Sequence, residues 1–128
     1  MVTAKFRALT KTALLTAAPE ATGAHYGDAP SSATFPYLVF NLEEVSHEYD
    51  SSLQELEVDV VDYGEDTERA ENMADQILAA LDHYYVLTDD LQASVYRERR
   101  QPLYETDKNV IKRRLTFQVR LHERSKKV

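Results

Sequence analysis

The sequence contains no cysteine, so the chain cannot form a disulfide bond, a thiolate nucleophile or a cysteine-ligated zinc site. Its three glycines are too scattered to form a glycine-rich phosphate-binding loop. No apolar run approaches the roughly 20 residues of a membrane-spanning helix. Residues 1–15 interrupt their apolar positions with Lys5, Arg7 and Lys11, a poor pattern for a signal peptide. These absences favour a soluble protein that folds without a metal or a disulfide.

Groupings of side chains typical of catalysis are also scarce. The four histidines, at positions 25, 47, 83 and 122, do not pair with one another at metal-ligand spacing. Adjacent carboxylates occur at 43–44 and 89–90, but in so acidic a chain such pairs usually lie on solvated faces or turns. We therefore expect no enzyme active site, no metal and no cofactor.

Basic residues are rare in the first three quarters of the chain. Residues 1–96 contain four basic and 18 acidic side chains, whereas residues 97–128 contain 11 basic and four acidic ones. The net charge of −7 argues against non-specific binding of nucleic acid, which requires an excess of Lys and Arg. The acidic body and the basic C-terminal quarter could meet within one monomer or between two copies.

The spacing of apolar residues predicts two helices and four main strands. Leu56, Val58 and Val60 alternate with acidic residues, which is the period of a strand with one buried and one polar face. Residues 70–84 instead carry apolar side chains at helical intervals after a start at Asp66 or Thr67. The predicted elements are a helix over 2–17, strands over 36–45 and 53–63, a helix ending near 83, a possible short edge segment over 85–87, and strands over 91–99 and 110–121.

The resulting order is helix–strand–strand–helix–strand–strand. Short polar links between consecutive strands indicate hairpins, and two hairpins with an intervening helix make one sheet. We therefore expect a single α+β domain over 1–128, built on a four-stranded antiparallel sheet with helices packed on one face. Residues 18–34 are expected to form a long connection, 100–109 a loop and 122–128 a flexible tail.

An ordered series of phrases resembles the tail terminator proteins of long-tailed bacteriophages, which are also called tail completion or head-to-tail joining proteins. Tyr-Gly-Asp-Ala-Pro at 26–30 is similar to the turn that leads, in that family, into a Phe-Pro-Tyr-x-Val-Phe strand, here at 35–40. The resemblance covers about residues 2–121, although the glycine of the turn precedes the aspartate. Further matching phrases are the helix ending at 77–82, the charged strand at 97–100, the polar hairpin at 103–107 and the final strand at 113–120.

The resemblance implies a structural virion protein, not an enzyme, made in the host cytoplasm and located in the tail or neck. Members of the family form a ring, usually a hexamer, at the head-proximal end of a long tail. The ring terminates tail-tube polymerisation and provides the surface that joins the tail to the neck. The expected partners are further copies of the chain, the tail-tube protein and a neck or head-closure protein, with DNA only as transiting cargo and no membrane.

A closed ring needs a head-to-tail interface between two different surfaces, and the division of charge in this chain supplies two. The alternative is that the same charges pair across strands within one sheet. The candidate interface residues are Arg97, Arg99, Arg100, Lys112 and Arg114 on the basic side, and Glu55, Glu57 and Asp59 on the acidic side.

Loops on a rigid scaffold commonly carry contacts with partners. The candidate docking residues for tube or neck are Tyr26, Asp28 and Pro30 in the first loop, and Pro102 and Tyr104 in the second. For the first loop the alternative is simple chain routing, with Tyr26 packed on the core. The alternative functions are another neck or tail-tube component and a generic soluble α+β module that binds proteins.

Overall fold

Two helices and six strands make up residues 2–124, the part of the chain that a computed structural model describes. A long strand hairpin precedes the second helix, and a second long hairpin follows it. In chain order the elements are α1 (Val2–Ala17), β1 (Ala24–Tyr26), β2 (Tyr37–Glu48), β3 (Ser51–Tyr63), α2 (Glu68–Leu81), β4 (Tyr85–Leu87), β5 (Leu91–Leu103) and β6 (Val110–Glu123).

The six strands form one mixed sheet in the order β1-β2-β3-β6-β5-β4, which curls into a half-barrel. β1 lies parallel to β2, and the other neighbouring pairs are antiparallel. The prediction of a four-stranded antiparallel sheet is therefore wrong, and the order is helix–strand–strand–strand–helix–strand–strand–strand. β1 is missed because three residues within an irregular connection are too short to show an alternating pattern.

Three strands continue beyond their apolar pattern. β2 runs to Glu48 instead of 45, β5 includes Pro102, and β6 reaches Glu123 instead of 121. Alternation of apolar and polar residues cannot reveal these ends, because most of their side chains are polar on both faces of the sheet. The first two residues of the predicted flexible tail, 122 and 123, are therefore strand residues, and 125–128 lie outside the described residues.

Both helices pack against the same side of the sheet and share one hydrophobic core with it. The alternating residues Leu56, Val58 and Val60 of β3 are fully buried there, as their period predicts. The helices contribute Phe6, Leu14, Met73, Ile77 and Leu81, and the last strands contribute Val95, Leu115, Phe117 and Val119.

The start of α2 depends on the acidic turn that follows β3. Gly64 has a φ of 145°, a backbone conformation that L side chains rarely adopt, and it turns the chain out of the strand. The carboxylate of Asp66 accepts a hydrogen bond from the Glu68 backbone N–H at 2.9 Å, which satisfies a free donor of the first turn. The helix ends at Leu81, two residues before the predicted end, and His83 then adopts a positive φ of 64°.

Phe117 is expected to be among the residues on which stability depends most. It is fully buried on β6, between the registers of Leu56 and Arg97, and faces the helices. We expect Phe117→Ala to lower the free energy of unfolding by about 3–5 kcal/mol, because a large cavity replaces the ring. Urea denaturation measures the loss, and Tyr49→Ala, at a side chain that is 90% exposed, is the control. A loss no larger than that of the control would contradict this packing.

Candidate assembly surface

We call the side of the sheet that faces away from the helices the open face. Its side chains alternate with core residues, so that Glu55 and Glu57 flank the buried Leu56. The acidic residues of the open face lie on β2 and β3, and the basic ones lie on β6 and β5, so an acidic half adjoins a basic half. The charged residues include Glu43, Glu48, Glu55, Glu57 and Asp59 in the first half, and Arg99, Lys112, Arg114 and Arg120 in the second.

The seam between the two halves is neutralised within the chain. Arg114 lies directly opposite Asp59 and donates to both of its carboxylate oxygens, at 2.9 and 3.0 Å. The hydrogen bond to Asp59 raises the pKa of Arg114 above its usual value. Glu57 lies 3.9 Å from the same guanidinium group. Three of the predicted interface residues therefore meet across one sheet, as the intramolecular alternative states.

The side chain of Arg100 lies on the face of the sheet that packs against the helices. It binds Asp75 at 2.5 Å and Glu71 at 3.3 Å, both on α2. Glu71 also accepts a hydrogen bond from Arg113 at 2.7 Å. Burial raises the pKa of the Glu71 carboxyl, but the two guanidinium groups outweigh burial and hold the pKa below its ordinary value. Arg100 therefore fixes α2 to the sheet in this structure.

A second ion pair between sheet and helix was not predicted from sequence. The buried carboxylate of Asp62 accepts two hydrogen bonds from Arg69, from Nε at 2.8 Å and from Nη2 at 2.6 Å. Hydrogen bonding to Arg69 lowers the pKa of Asp62 more strongly than burial raises it. Two features of the sequence could have indicated this pair. Asp62 falls at a core position in the alternating pattern of β3, and Arg69 is the only basic residue in the acidic segment 12–96.

Lys112 also finds its partner within the chain. Its ammonium group lies 2.6 Å from the carboxylate of Glu105, in the loop that joins β5 to β6. Five of the eight predicted interface residues thus contact opposite charge in their own subunit.

The other three predicted interface residues, Glu55, Arg97 and Arg99, have no ion-pair partner for their side chains among residues 2–124. Glu55 lies directly opposite Glu43, and like charges opposite each other destabilise a sheet. Arg97 and Arg99 are exposed near the far side of the sheet. The structure thus leaves negative charge near one edge and positive charge near the other.

Tyr26 is more a packing residue than a projecting one. Its hydroxyl lies 3.4 Å from both the backbone nitrogen and the backbone oxygen of Leu42, and its ring meets Phe40 edge-on at 5.4 Å. The guanidinium carbon of Arg7 lies 4.4 Å from the centre of the Tyr26 ring. These contacts agree with chain routing, and 40% of the residue still faces solvent.

The remaining docking candidates lie in turns or at a strand end. Asp28 accepts a hydrogen bond from the Ala29 backbone N–H, and the Pro30 carbonyl accepts one from Ala33. Pro102 was expected in a loop but belongs to β5, where its missing N–H suits the outermost part of a strand. Tyr104 follows β5 and is 88% exposed, so its side chain is open to a partner.

One cluster has the composition of a hydrolase triad but not its geometry. Nδ1 of His122 lies 2.8 Å from the Ser51 hydroxyl and 3.6 Å from the Asp50 carboxylate. In a working triad the serine and the carboxylate contact different ring nitrogens. Both groups approach the same nitrogen here, so this arrangement cannot pass a proton from serine to histidine while aspartate orients the ring.

Within residues 2–124, no three His, Asp or Glu side chains converge on a point that could hold a metal ion. No helix in that range combines the length and apolar character needed to cross a membrane.

The fold occurs in a virion. A chain in the solved structure described as the virion of a native gene transfer agent particle matches with a TM-score of 0.65, over 85% of this chain and 84% of that chain. The two sequences are 15% identical, so this similarity shows a shared fold. A search of curated proteins gives no match.

The family follows from the sequence itself. Residues 3–122 match the family described as tail completion protein gp17, and the chain belongs to that family. This match confirms the resemblance seen in the ordered motifs. The chain is accordingly a structural protein of a phage tail, located in the virion and associated there with other tail components.

The Asp62–Arg69 pair predicts a defined dependence of stability on pH. Asp62→Asn should lower the free energy of unfolding at pH 7 by about 1.5–3 kcal/mol, because charged hydrogen bonds are lost at a buried site. The wild-type advantage is present above the unfolded pKa of aspartate, about 3.9, and is lost as pH falls through the lower pKa of the folded state. Urea unfolding at a series of pH values from 7 downwards measures this convergence of wild type and variant.

The matched control is Glu65→Gln, an exposed carboxylate in the same turn. We expect its stability to differ from that of the wild type by no more than about 0.5 kcal/mol at any of these pH values. A difference between Asp62→Asn and wild type that stays constant as Asp62 is protonated would contradict the assigned role of its charge.

Proposed function

We propose that the chain assembles head to tail into a closed ring, expected to be a hexamer, at the head-proximal end of the tail. The ring terminates polymerisation of the tail tube and presents the surface to which neck and head-closure proteins bind. One observation carries this proposal: unpaired charges of opposite sign lie near opposite sides of the sheet, Glu43 and Glu55 on one side and Arg97 and Arg99 on the other.

Two different complementary surfaces on one subunit are the requirement for a heterologous contact, and such contacts close into a ring when the rotation between subunits permits. A single self-complementary patch would instead favour a two-fold dimer. Opposite charges also select the correct pair of surfaces, because acid against acid or base against base is repulsive.

The proposed role requires contact surfaces, and no catalysis is involved. DNA crosses the ring as cargo, and the net charge of −7 disfavours adhesion of its phosphates to the wall. The loop of residues 104–109 and the turn of residues 27–30 are proposed as contacts for the tube or the neck. The exposed Tyr104 is the leading residue of that set, because a tyrosine can anchor a contact at little entropic cost.

The double variant Arg97→Glu, Arg99→Glu tests this function. We expect a monomer where the wild type forms a ring in sedimentation velocity, because the two unpaired arginines of the proposed interface are reversed. We also expect the variant to leave purified tail tubes growing, whereas the wild type arrests their length. Raising the ionic strength should shift the wild type toward monomer as well, since surface charges are screened beyond about 10 Å at 0.1 M salt.

Gln76→Glu is the matched control, because it adds negative charge at an exposed position of α2 and on neither strand edge. It should assemble and arrest tubes like the wild type. A wild-type protein that stays monomeric and does not stop tube growth would refute the proposed function, and would favour the alternative of a generic binding module. A ring that resists both salt and charge reversal would refute the charge mechanism alone.

A further inference from the structure

The outward-facing edges of β2 and β5 are each covered only in part, by the short strands β1 and β4. β1 covers β2 at Leu38, Val39 and Phe40, and the Tyr26 hydroxyl contacts the backbone of Leu42. Beyond Leu42, the backbone of β2 has no described partner on that side. We call residues 43–48 the acidic edge, since they include Glu43, Glu44 and Glu48.

The opposite side of the sheet shows the same arrangement. β4 covers β5 at Gln92, Ala93 and Ser94, and the Arg97 backbone N–H donates to the Asp82 carboxylate at 3.0 Å. Past Arg97, no hydrogen bond among the described residues occupies the outer side of β5. We call residues 97–101 the basic edge, since Arg97 and Arg99 have no ion-pair partner among residues 2–124, while Arg100 is paired with α2 and Glu98 accepts a hydrogen bond from Gln118.

An uncovered strand edge is a template for pairing with another strand, and proteins blunt such edges with charges and bulges. Both devices occur here, with bulges at Glu44/Ser46 and at Arg97/Arg99. Because the two edges carry opposite charge, each edge repels its own copy and attracts the other edge. These features block self-pairing and permit one specific pairing.

We propose that neighbouring copies join by antiparallel pairing of the acidic edge of one subunit with the basic edge of the next, so that their sheets become continuous. This inference rests on the proposed ring and names the contact that closes it. β2 and β5 run in opposite directions within the sheet, because three antiparallel pairings separate them. Copies in the same orientation around a ring therefore present these strands to each other as antiparallel neighbours.

The lengths of the free edges fix an approximate register. Placing Ser46 opposite Gln101 brings Glu48 opposite Arg99 and, because the bulge adds one residue between Glu44 and Ser46, Glu43 opposite Leu103. In this register β5 of the neighbour ends just beyond the part of β2 that β1 and Tyr26 cover. The β2–β3 turn at Tyr49 likewise reaches only to the level of Arg97, short of β4. The two short strands β1 and β4 therefore cover those parts of β2 and β5 that do not pair with the neighbouring subunit.

The same register sets a tilt that a closed barrel-like ring can accept. Within one chain Ser46 is level with Ser94, through Leu53 and Arg120. Gln101 lies opposite Arg114 of β6, which is six residues from Arg120. The proposed pairing therefore shifts the neighbouring subunit by about 20 Å along the strands. The four strands that each subunit contributes between its two free edges, β2, β3, β6 and β5, span about 19 Å across the sheet. A shift along the strands of nearly the same length tilts them by about 45° to the ring axis, at the upper end of the range found in β-barrels.

Cysteine cross-linking tests the proposal directly, because the chain has no cysteine of its own. Ser46→Cys and Gln101→Cys each place one thiol on the open face at one free edge. A short thiol-specific cross-linker should produce covalent dimers when the two single variants are mixed, and none with either variant alone. A chain that carries both substitutions should give a ladder of covalent oligomers ending at the size of the closed ring.

The matched control pairs Ser46→Cys with Ser94→Cys, which lies on the same strand and face as Gln101 but behind β4. That mixture should give no covalent dimer. Sedimentation of each variant before cross-linking shows whether rings are present. Rings without Ser46–Gln101 cross-links would overturn edge pairing and leave the proposed ring standing, whereas the absence of rings from the wild type would overturn both.

Discussion

The antiparallel pairing of β3 with β6 is the contact on which the rest of the structure depends. It joins thirteen residue pairs from Ser51–His122 to Tyr63–Val110, and so places the acidic body of the chain against its basic C-terminal quarter. The Asp59–Arg114 pair neutralises the open face at this seam, while the core residues of both strands bury the helices on the other side. With the seam neutralised in this way, Glu43 and Glu55 have no ion-pair partner among the described residues toward one side of the sheet, and Arg97 and Arg99 have none toward the other.

The helix α2 reinforces the same division. Glu71 forms ion pairs with both Arg100 and Arg113, and Asp75 forms one with Arg100. Arg69 forms an ion pair with the buried Asp62. These three arginines are thereby neutralised within the subunit. Arg97 and Arg99 remain available on one side, and Glu43 and Glu55 on the other. A subunit with a saturated centre and two complementary margins is suited to repetition around a ring, which is the assembly we propose for this tail completion protein.

Sequence patterns predicted both helices and the four long strands, because each carries apolar residues with the period of its own element over many residues. They missed β1 and the polar ends of β2, β5 and β6, since those segments are held by partner strands and not by burial of an apolar face. The family was predicted correctly from ordered motifs. The sequence identified the charged residues but could not show whether they pair within one chain or between chains. That outcome depends on strand register, because Arg114 meets Asp59 only when β3 and β6 are aligned.

Hydrogen exchange of the backbone amides, compared between the assembled protein and its monomer, tests most directly whether the margins of the sheet join the subunits. The account predicts that the outward-pointing amides in 43–48 and 98–101, which do not bond to β3 or β6, exchange quickly in the monomer and become protected on assembly, while the amides of β3 and β6 are protected in both states. Equal exchange at both margins in monomer and ring, with protection gained elsewhere, would contradict it.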